Sequence, residues 1–237
     1  MSQTSKPKLP ELNPRLLKIL ELIPPSECLA DIGTDHAYIP ISVLLNGISK
    51  KAIASDINKG PVNRAKENIL AFGLLDKISP RLGAGLSTLE VSEADVIVIA
   101  GMGGILISEI LKQNEEVSHS AKLLILQPMT ASLELREYLL ANGFSIENEH
   151  LVAEEEKIYT IISARFLGEK SNLSEYSKKD LFLGKGLFET SPDLFEKHKA
   201  SIIKKYEKRL LGLSKSGRTE SKDELEKVKE ILEILAN

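Results

Sequence analysis

Eight consecutive residues, Asp31-Ile32-Gly33-Thr34-Asp35-His36-Ala37-Tyr38, bring two carboxylates, a hydroxyl, an imidazole and a phenol around one glycine, where an apolar run gives way to a helical pattern. A ligand approaches the backbone closely only where a side chain is missing, so Gly33 suits such a contact. The N–H groups that open the following helix suit an anionic group such as a cofactor carboxylate. Asp56 ends the next predicted strand, about 20 residues on, where a carboxylate can accept both hydroxyl hydrogens of a ribose; Ile57 beside it is placed on the same ligand. Taken alone, Gly33 also makes an ordinary tight turn, and Asp56 also starts one at Asn58-Lys59-Gly60. Gly83-Ala84-Gly85 and Ala100-Gly101-Met102-Gly103-Gly104 repeat the pattern after the third and fourth strands. Each glycine costs backbone entropy, so four successive glycine-rich strand ends at one edge of a sheet point to a nucleoside-bearing cofactor rather than to mere turns. Met102 and Met129 either line that pocket or fill the core.

Those loops need a sheet to hold them. Short apolar runs at Cys28–Ile32, Ala52–Asp56, Ile78–Gly83, Asp95–Ala100 and Leu123–Leu126 alternate with helical patterns at Ile39–Asn46, Pro61–Phe72, Ile105–Gln113 and Leu133–Asn142. Connections of that length demand parallel strands with right-handed crossovers, hence a doubly wound α/β sheet with helices on both faces. Ahead of it, Asn13-Pro14 followed by Leu16, Leu17, Ile19, Leu20 and Ile23 predicts a capped helix, stopped by Pro24-Pro25. Phe144–Val152 and Lys157–Phe166 then read as consecutive strands around Glu154-Glu155-Glu156. An antiparallel hairpin ending a mostly parallel sheet fits the Rossmann-like class I methyltransferases, by analogy of fold, better than nicotinamide-binding enzymes. Gly168–Glu189 is polar and mixed, a linker with room for one short helix. Ser191-Pro192-Asp193 starts a long helix with Ser191 as N-cap, and Phe195, Ile202, Tyr206, Leu210 and Leu213 fall on one side of it. Ser214–Gly217 breaks it. Ser221 with Glu224 then forms a capping-box pattern, and Leu225, Val228, Leu232 and Leu235 make an a/d seam. The expected division is a Rossmann-like domain, residues 1–167, and a linker with an antiparallel helical hairpin (coiled coil), residues 168–237.

An apolar share of 42% with 27% charged residues is that of a folded globular chain and excludes disordered and collagen-like classes. No segment approaches the ~20 uninterrupted apolar residues of a membrane span, and the polar, lysine-bearing N-terminus lacks the apolar stretch of a secretion signal, so a cytoplasmic location is expected. One cysteine, Cys28, excludes an internal disulfide and a cysteine-based metal site. His119, His150 and His198 lack partners at metal-ligand spacing, so no metal is expected. The net charge of −3 hides an asymmetry: basic residues are outnumbered 16 to 21 in residues 1–167 and outnumber acids 15 to 13 in residues 168–237. Lys197–Arg218 holds eight Lys or Arg against one acid, Glu207, a face suited to a polyanion, though a solvated helix face has the same look.

The same segments carry a resemblance. DIGTDHAYIP (Asp31–Pro40), SDINKGP within Lys51–Pro61, AGMGG around Gly101, LQPM (Leu126–Met129), LREYLLANGF and the basic hairpin resemble the bacterial methyltransferases that make 1-methyladenosine at position 22 of tRNA, over most of the chain. The resemblance implies that S-adenosylmethionine is surrounded by Asp31, Gly33, Asp56, Gly83, Gly85 and Gly101, with Ile57, Ala84, Ala100 and Met102 on the same loops. It places Asp35, His36, Tyr38, Gln127, Pro128 and Met129 toward the target base. It makes tRNA the polyanion that meets the basic helix, through Lys204, Lys205, Lys208 and Arg209. Members commonly have an acidic residue where this chain has Ala84, and a generic methyltransferase loop has a second glycine where this chain has Asp35.

Adenine N1 has a lone pair and no proton to lose, so such a reaction asks for positioning rather than a strong base. Positive charge appears on the ring, and Asp35 is the candidate to offset it; the competing role for Asp35 is a cap on the first helix. His36 either orients the base or is a structural hydrogen-bonding residue. Two other classes share parts of the pattern: a methyltransferase acting on another RNA position or a small molecule, and a non-catalytic nucleotide-binding adaptor with a helical arm. No protein partner is evident.

Overall fold

The computed structural model describes residues 11–168, 175–216 and 221–236. Helix α1 (Pro14–Leu22) starts where predicted: Asn13 Oδ1 accepts the N–H of Leu16 at 2.9 Å, and Pro14 fills the first helical position, where no N–H partner is needed. Strands β1 (Ser26–Ile32), β2 (Ser49–Asp56), β3 (Ile78–Leu82), β4 (Val96–Gly103) and β5 (Leu123–Thr130) follow, separated by α2 (Tyr38–Leu45), α3 (Lys59–Ala71), a 3-10 turn at Gly85–Thr88, and α4 (Gly104–Gln113) with α5 (Glu115–Ser120). After α6 (Ser132–Ala141), β6 (Phe144–Glu154) and β7 (Lys157–Phe166) form the hairpin.

All seven strands make one sheet in the order β3-β2-β1-β4-β5-β7-β6. The first five pair in parallel, and β7 is antiparallel to both β5 and β6. The hairpin therefore inserts its second strand against β5 and leaves its first at the edge. Central strands buried on both faces read as unbroken apolar runs, and β1, β4 and β5 do. Period-two alternation sends Ala30, Ile32, Ile97, Ile99, Leu124 and Leu126 into the layer under α4 and α6, and Leu29, Val96, Val98 and Ile125 into the layer under α1, α2 and α3. Between β3 and β4 the chain crosses from one side of β1 to the other, which opens a crevice at the carboxyl ends of β1 and β4, where open α/β sheets take their ligands. Cys28 is a half-buried free thiol near the start of β1, away from that crevice, and burial raises its pKa.

The stretch read as a linker is packed. Its described part holds α7 (Lys178–Leu183) and α8 (Leu187–Thr190), with Leu181, Leu183 and Leu187 buried. Helices of six and four residues carry too little periodicity to register as patterns. Their anchor is Arg136 of α6, fully buried, whose Nη2 and Nε donate to Glu149 Oε2 on β6 at 2.7 and 2.9 Å while Nη1 donates to the Leu181 carbonyl at 2.9 Å. The long helices α9 (Pro192–Ser216) and α10 (Ser221–Ala236) pack on each other, with Val228 and Leu235 of the predicted seam buried. One local expectation, the break of α9 at Ser214, is corrected, while Ser191 directly precedes the helix as expected, its carbonyl accepting the N–H groups of Leu194 and Phe195. The hydroxyl oxygen of Ser191 accepts the N–H of Leu151 on β6 at 2.9 Å, and the neighbouring Thr190 hydroxyl donates to the Glu149 carbonyl at 2.7 Å, so the start of α9 is tied to the sheet edge. Helix α9 runs through Ser214 and Lys215 to Ser216; Gly217 lies outside the described residues. Glu224 pairs with Arg209 on α9, and the Ser221 half of the predicted capping box lies outside the described side chains.

Candidate active site

At the end of β1 the backbone turns through Gly33 at φ +78, and a Cβ there would sit 2.0 Å from Met102 Cε. The turn's positive φ favours Gly33, whereas the methionine from β4 that lies over it is the end of a flexible side chain; Met102 also packs on the core layer beneath α4. The N–H groups of Gly33 and Thr34 donate to the Ser55 carbonyl on β2 at 2.8 and 2.9 Å, and that of Ala37 to Thr34 Oγ1 at 3.1 Å. These three donors are spent within the protein, and none of them belongs to the first turn of α2, which begins at Tyr38. Asp31 is buried at 8% exposure beneath the turn; desolvation pushes its pKa up to about 6, opposed by the Thr34 hydroxyl bond.

Asp35 does not cap α2, which begins after Ala37 in a left-handed conformation. The Asp35 side chain is exposed and holds two partners, Arg64 of α3, with Nε donating to Oδ1 at 3.0 Å, and His36, whose Nε2 lies 3.2 Å from Oδ2. The His36 ring stacks on Tyr38 at 5.1 Å between centroids, and Asn68 of α3 donates to the His36 carbonyl. The three residues assigned to chemistry therefore form one cluster at the mouth of the crevice, cross-braced to α3.

Asp56 closes β2 and serves both readings given to it. Its Oδ1 accepts the Asn58 N–H at 2.7 Å, starting the turn, while among the described residues no donor meets Oδ2; its own carbonyl accepts the Gly83 N–H at 3.0 Å. Ile57 beside it is 65% exposed, an apolar surface at the edge of the crevice. Gly85, at φ +51, opens the 3-10 turn, and the Ala84 carbonyl accepts the Ser87 hydroxyl at 2.6 Å. Gly101 follows Ala100 at φ +79 and is exposed. The ends of β1, β2, β3 and β4 thus meet along one edge.

The LQPM segment behaves differently from its sequence reading. Strand β5 continues through it, so Gln127 and Pro128 are buried and only Met129 reaches the surface. Gln127 Oε1 accepts Arg15 Nη1 at 2.6 Å and the Gly101 N–H at 3.0 Å, and Nε2 donates to the Pro128 carbonyl at 3.0 Å. The amide holds the β4 and β5 ends together rather than facing a base. Arg15 is the residue that sequence reasoning missed. Besides Gln127 it lies 3.6 Å from Glu154 and places its guanidinium 5.3 Å from the Tyr159 ring. One signal was available: a cation in the first turn of a helix opposes the macrodipole, which asks for a tertiary partner.

On α9, Lys204, Lys205 and Lys208 are exposed; Arg209 is exposed too but shares its charge with Glu224, so the free basic face is narrower than the sequence suggests. Among the described residues no group of His, Cys, Asp and Glu is arranged to hold a metal ion, and no helix is long and apolar enough to cross a membrane.

The methyltransferase domain family matches residues 12–162. The tRNA (adenine(22)-N(1))-methyltransferase of Bacillus subtilis (strain 168) is 39% identical over 154 residues, 65% of this chain and 65% of that protein, so the match spans just under two thirds of the relative. The crystal structure of the B. subtilis m1A22 tRNA methyltransferase TrmK superimposes with a TM-score of 0.85 at 31% identity, over 97% of this chain and 98% of that one. Streptococcus pneumoniae Sp1610, solved in complex with S-adenosyl-L-methionine, matches with a TM-score of 0.74 at 32% identity, over 94% of this chain and all of the other.

Proposed function

Because this chain belongs to the bacterial tRNA (adenine(22)-N(1))-methyltransferase family, we propose that it transfers a methyl group from S-adenosylmethionine to N1 of adenosine 22 in tRNA, in the cytoplasm. The observation that carries this reading is the meeting, at the switch point between β1 and β4, of a bare glycine turn, a buried carboxylate and the ribose-competent Asp56. The residues present fit the cofactor. Gly33 and Gly101 leave backbone that it can approach, Asp56 Oδ2 is placed for the ribose hydroxyls, and Asp31 supplies the anion for its ammonium group. When bound, S-adenosylmethionine supplies an electrophilic methyl group on a sulfonium.

The work left to the chain is to orient the adenine and to offset the charge that its ring acquires, since N1 carries no proton to remove. We assign orientation to Tyr38, His36 and Met129, and the charge to Asp35. Its pairing with Arg64 is solvent-exposed and so worth little, which leaves the carboxylate available to a cationic ring. Asp35→Ala is expected to slow methyl transfer about tenfold or more, the scale of one unscreened ion contact in a partly dry pocket, with the S-adenosylmethionine dissociation constant unchanged. Parallel loss of rate and cofactor affinity would remove Asp35 from the chemistry. Residues 1–167 are the catalytic part, and residues 168–237 carry the exposed lysines toward tRNA.

Asp31 makes the cofactor affinity pH-dependent. Its folded-state pKa of about 6 lies above the unfolded value of 3.8, so the unliganded fold holds a proton that the unfolded chain has lost. The stability from that proton is present at low pH and lost as pH rises through 6. Binding an ammonium group favours the ionised carboxylate, so affinity should rise from pH 5 to about 6.5 and then level off. Calorimetric titration across pH 5–8 measures this, and a flat profile would mean that Asp31 does not face the ammonium. The function itself is tested by incubating the protein with methyl-labelled S-adenosylmethionine and unmodified tRNA, then digesting and identifying the labelled nucleoside. Label in 1-methyladenosine that disappears when adenosine 22 is replaced by guanosine is the expected result; cofactor binding without RNA labelling would overturn the substrate.

A further inference from the structure

A cleft of about 650 Å³ separates the sheet from the helical arm. One wall is the end of β5 and the start of α6, beginning at Pro128 and Met129; the second is the β6–β7 turn with Tyr159; the third is the face of α9 that carries Lys197, His198, Lys205 and Tyr206. The cleft opens beside the β4–β5 edge where the target adenine is placed, and its α9 wall is basic. Neither Lys197 nor Lys205 forms an ion pair with another described residue, whereas the acids at the cleft, Glu134, Glu155 and Glu156, belong to the other two walls.

His198 is the unusual member. It is 93% buried, by its 7% exposure, and its Nε2 is enclosed without a hydrogen-bond partner. A buried polar atom left unpaired is costly, so Nε2 calls for a partner beyond the groups that the described residues supply. Burial, with Arg136 nearby, lowers its pKa to about 4, and its other ring nitrogen bonds to the Leu183 backbone. The ring is therefore neutral at physiological pH, and Nε2 is an acceptor without a partner in the wall of the cleft.

We propose that this cleft is a second nucleotide subsite, which takes the base adjoining the target adenosine. The base stacks on Tyr206 or Tyr159 and donates an N–H to His198 Nε2, and the flanking phosphates meet Lys197 and Lys205. Aromatic stacking with a basic rim is how proteins hold unstacked nucleotides. An occupant here keeps the neighbour of the target from restacking, so the extruded adenine stays extruded. The inference rests on tRNA being the substrate.

Its test uses full-length protein and tRNA carrying an abasic residue at position 21 or at position 23. In the wild type, removing the base from the occupied position is expected to raise KM about tenfold; in His198→Phe the same abasic tRNA should cost less than twofold, since the reader is already gone. His198→Gln, which keeps a hydrogen-bonding atom, should recover part of the difference and guards against a folding artefact. The exposed pair Lys197→Gln and Lys205→Gln should raise KM about tenfold with kcat and cofactor affinity unchanged, and lower the slope of log KM against log salt by about two, one per phosphate contact. If the wild type methylates tRNA yet abasic tRNAs cost it and His198→Phe equally, or the lysine pair leaves KM and salt slope untouched, the subsite falls while the function stands. If no tRNA is methylated, both fall.

Discussion

Replacing Asp56 by alanine is expected to weaken S-adenosylmethionine binding about 100-fold or more. Two ribose hydroxyls donating to a carboxylate are charge-assisted bonds worth about 1.5–3 kcal/mol each, and a 100-fold loss corresponds to about 2.7 kcal/mol. The alanine variant also loses the Oδ1 acceptor for the Asn58 N–H, so a turn effect has to be separated from a ligand effect. Asp56→Asn does this: it retains an oxygen for Asn58 and removes the charge. It should keep wild-type thermal stability and show an intermediate affinity by calorimetric titration. Wild-type affinity in Asp56→Ala would mean that the cofactor ribose lies elsewhere.

Arg136→Ala is expected to be the most destabilising single substitution, by about 3–5 kcal/mol, because it strands the Glu149 carboxylate, 0% exposed, without its cation. Against a total stability of about 5–15 kcal/mol for a domain, that shifts a urea midpoint visibly and at the low end unfolds the chain. The same guanidinium holds the Leu181 carbonyl, and Gly184 leaves room for it, its Cβ position lying 2.9 Å from Nη2. The loss should therefore loosen α7 and raise hydrogen exchange there. The double variant Arg136→Met with Glu149→Leu removes both charges and should recover most of the loss, as apolar replacements of buried ion pairs do. A single variant that loses less than about 1 kcal/mol, or a double variant no better than the single, would show that packing rather than the ion pair holds this joint.

Local patterns foretold the strands, the Asn13 cap of α1, the four glycine-rich strand ends and the seam of α10, because a hydrophobic period and a turn residue act within a few positions of themselves. Residues 31–38, 56 and 101 could be nominated as a site on those grounds, since only the loops after parallel strands reach the carboxyl edge. The placing of β7 between β5 and β6 left no such mark: either strand of the hairpin has the alternation to pair with β5. The roles of individual charges were equally illegible. Arg15 finds Gln127 across 112 residues of sequence, and Arg136 finds the Leu181 carbonyl across 45. Asp35, free by its sequence to cap α2, is drawn to Arg64 on another helix. Gln127, read as an open contact, became a buried strap because β5 runs four residues further than its apolar run suggests and carries the side chain between β4 and Arg15. Backbone conformation and the buried face of an element follow from neighbours in sequence. The partner of a charged or amide side chain is whichever group the packed layers bring within about 3 Å, and burial makes an unpartnered choice too costly to persist.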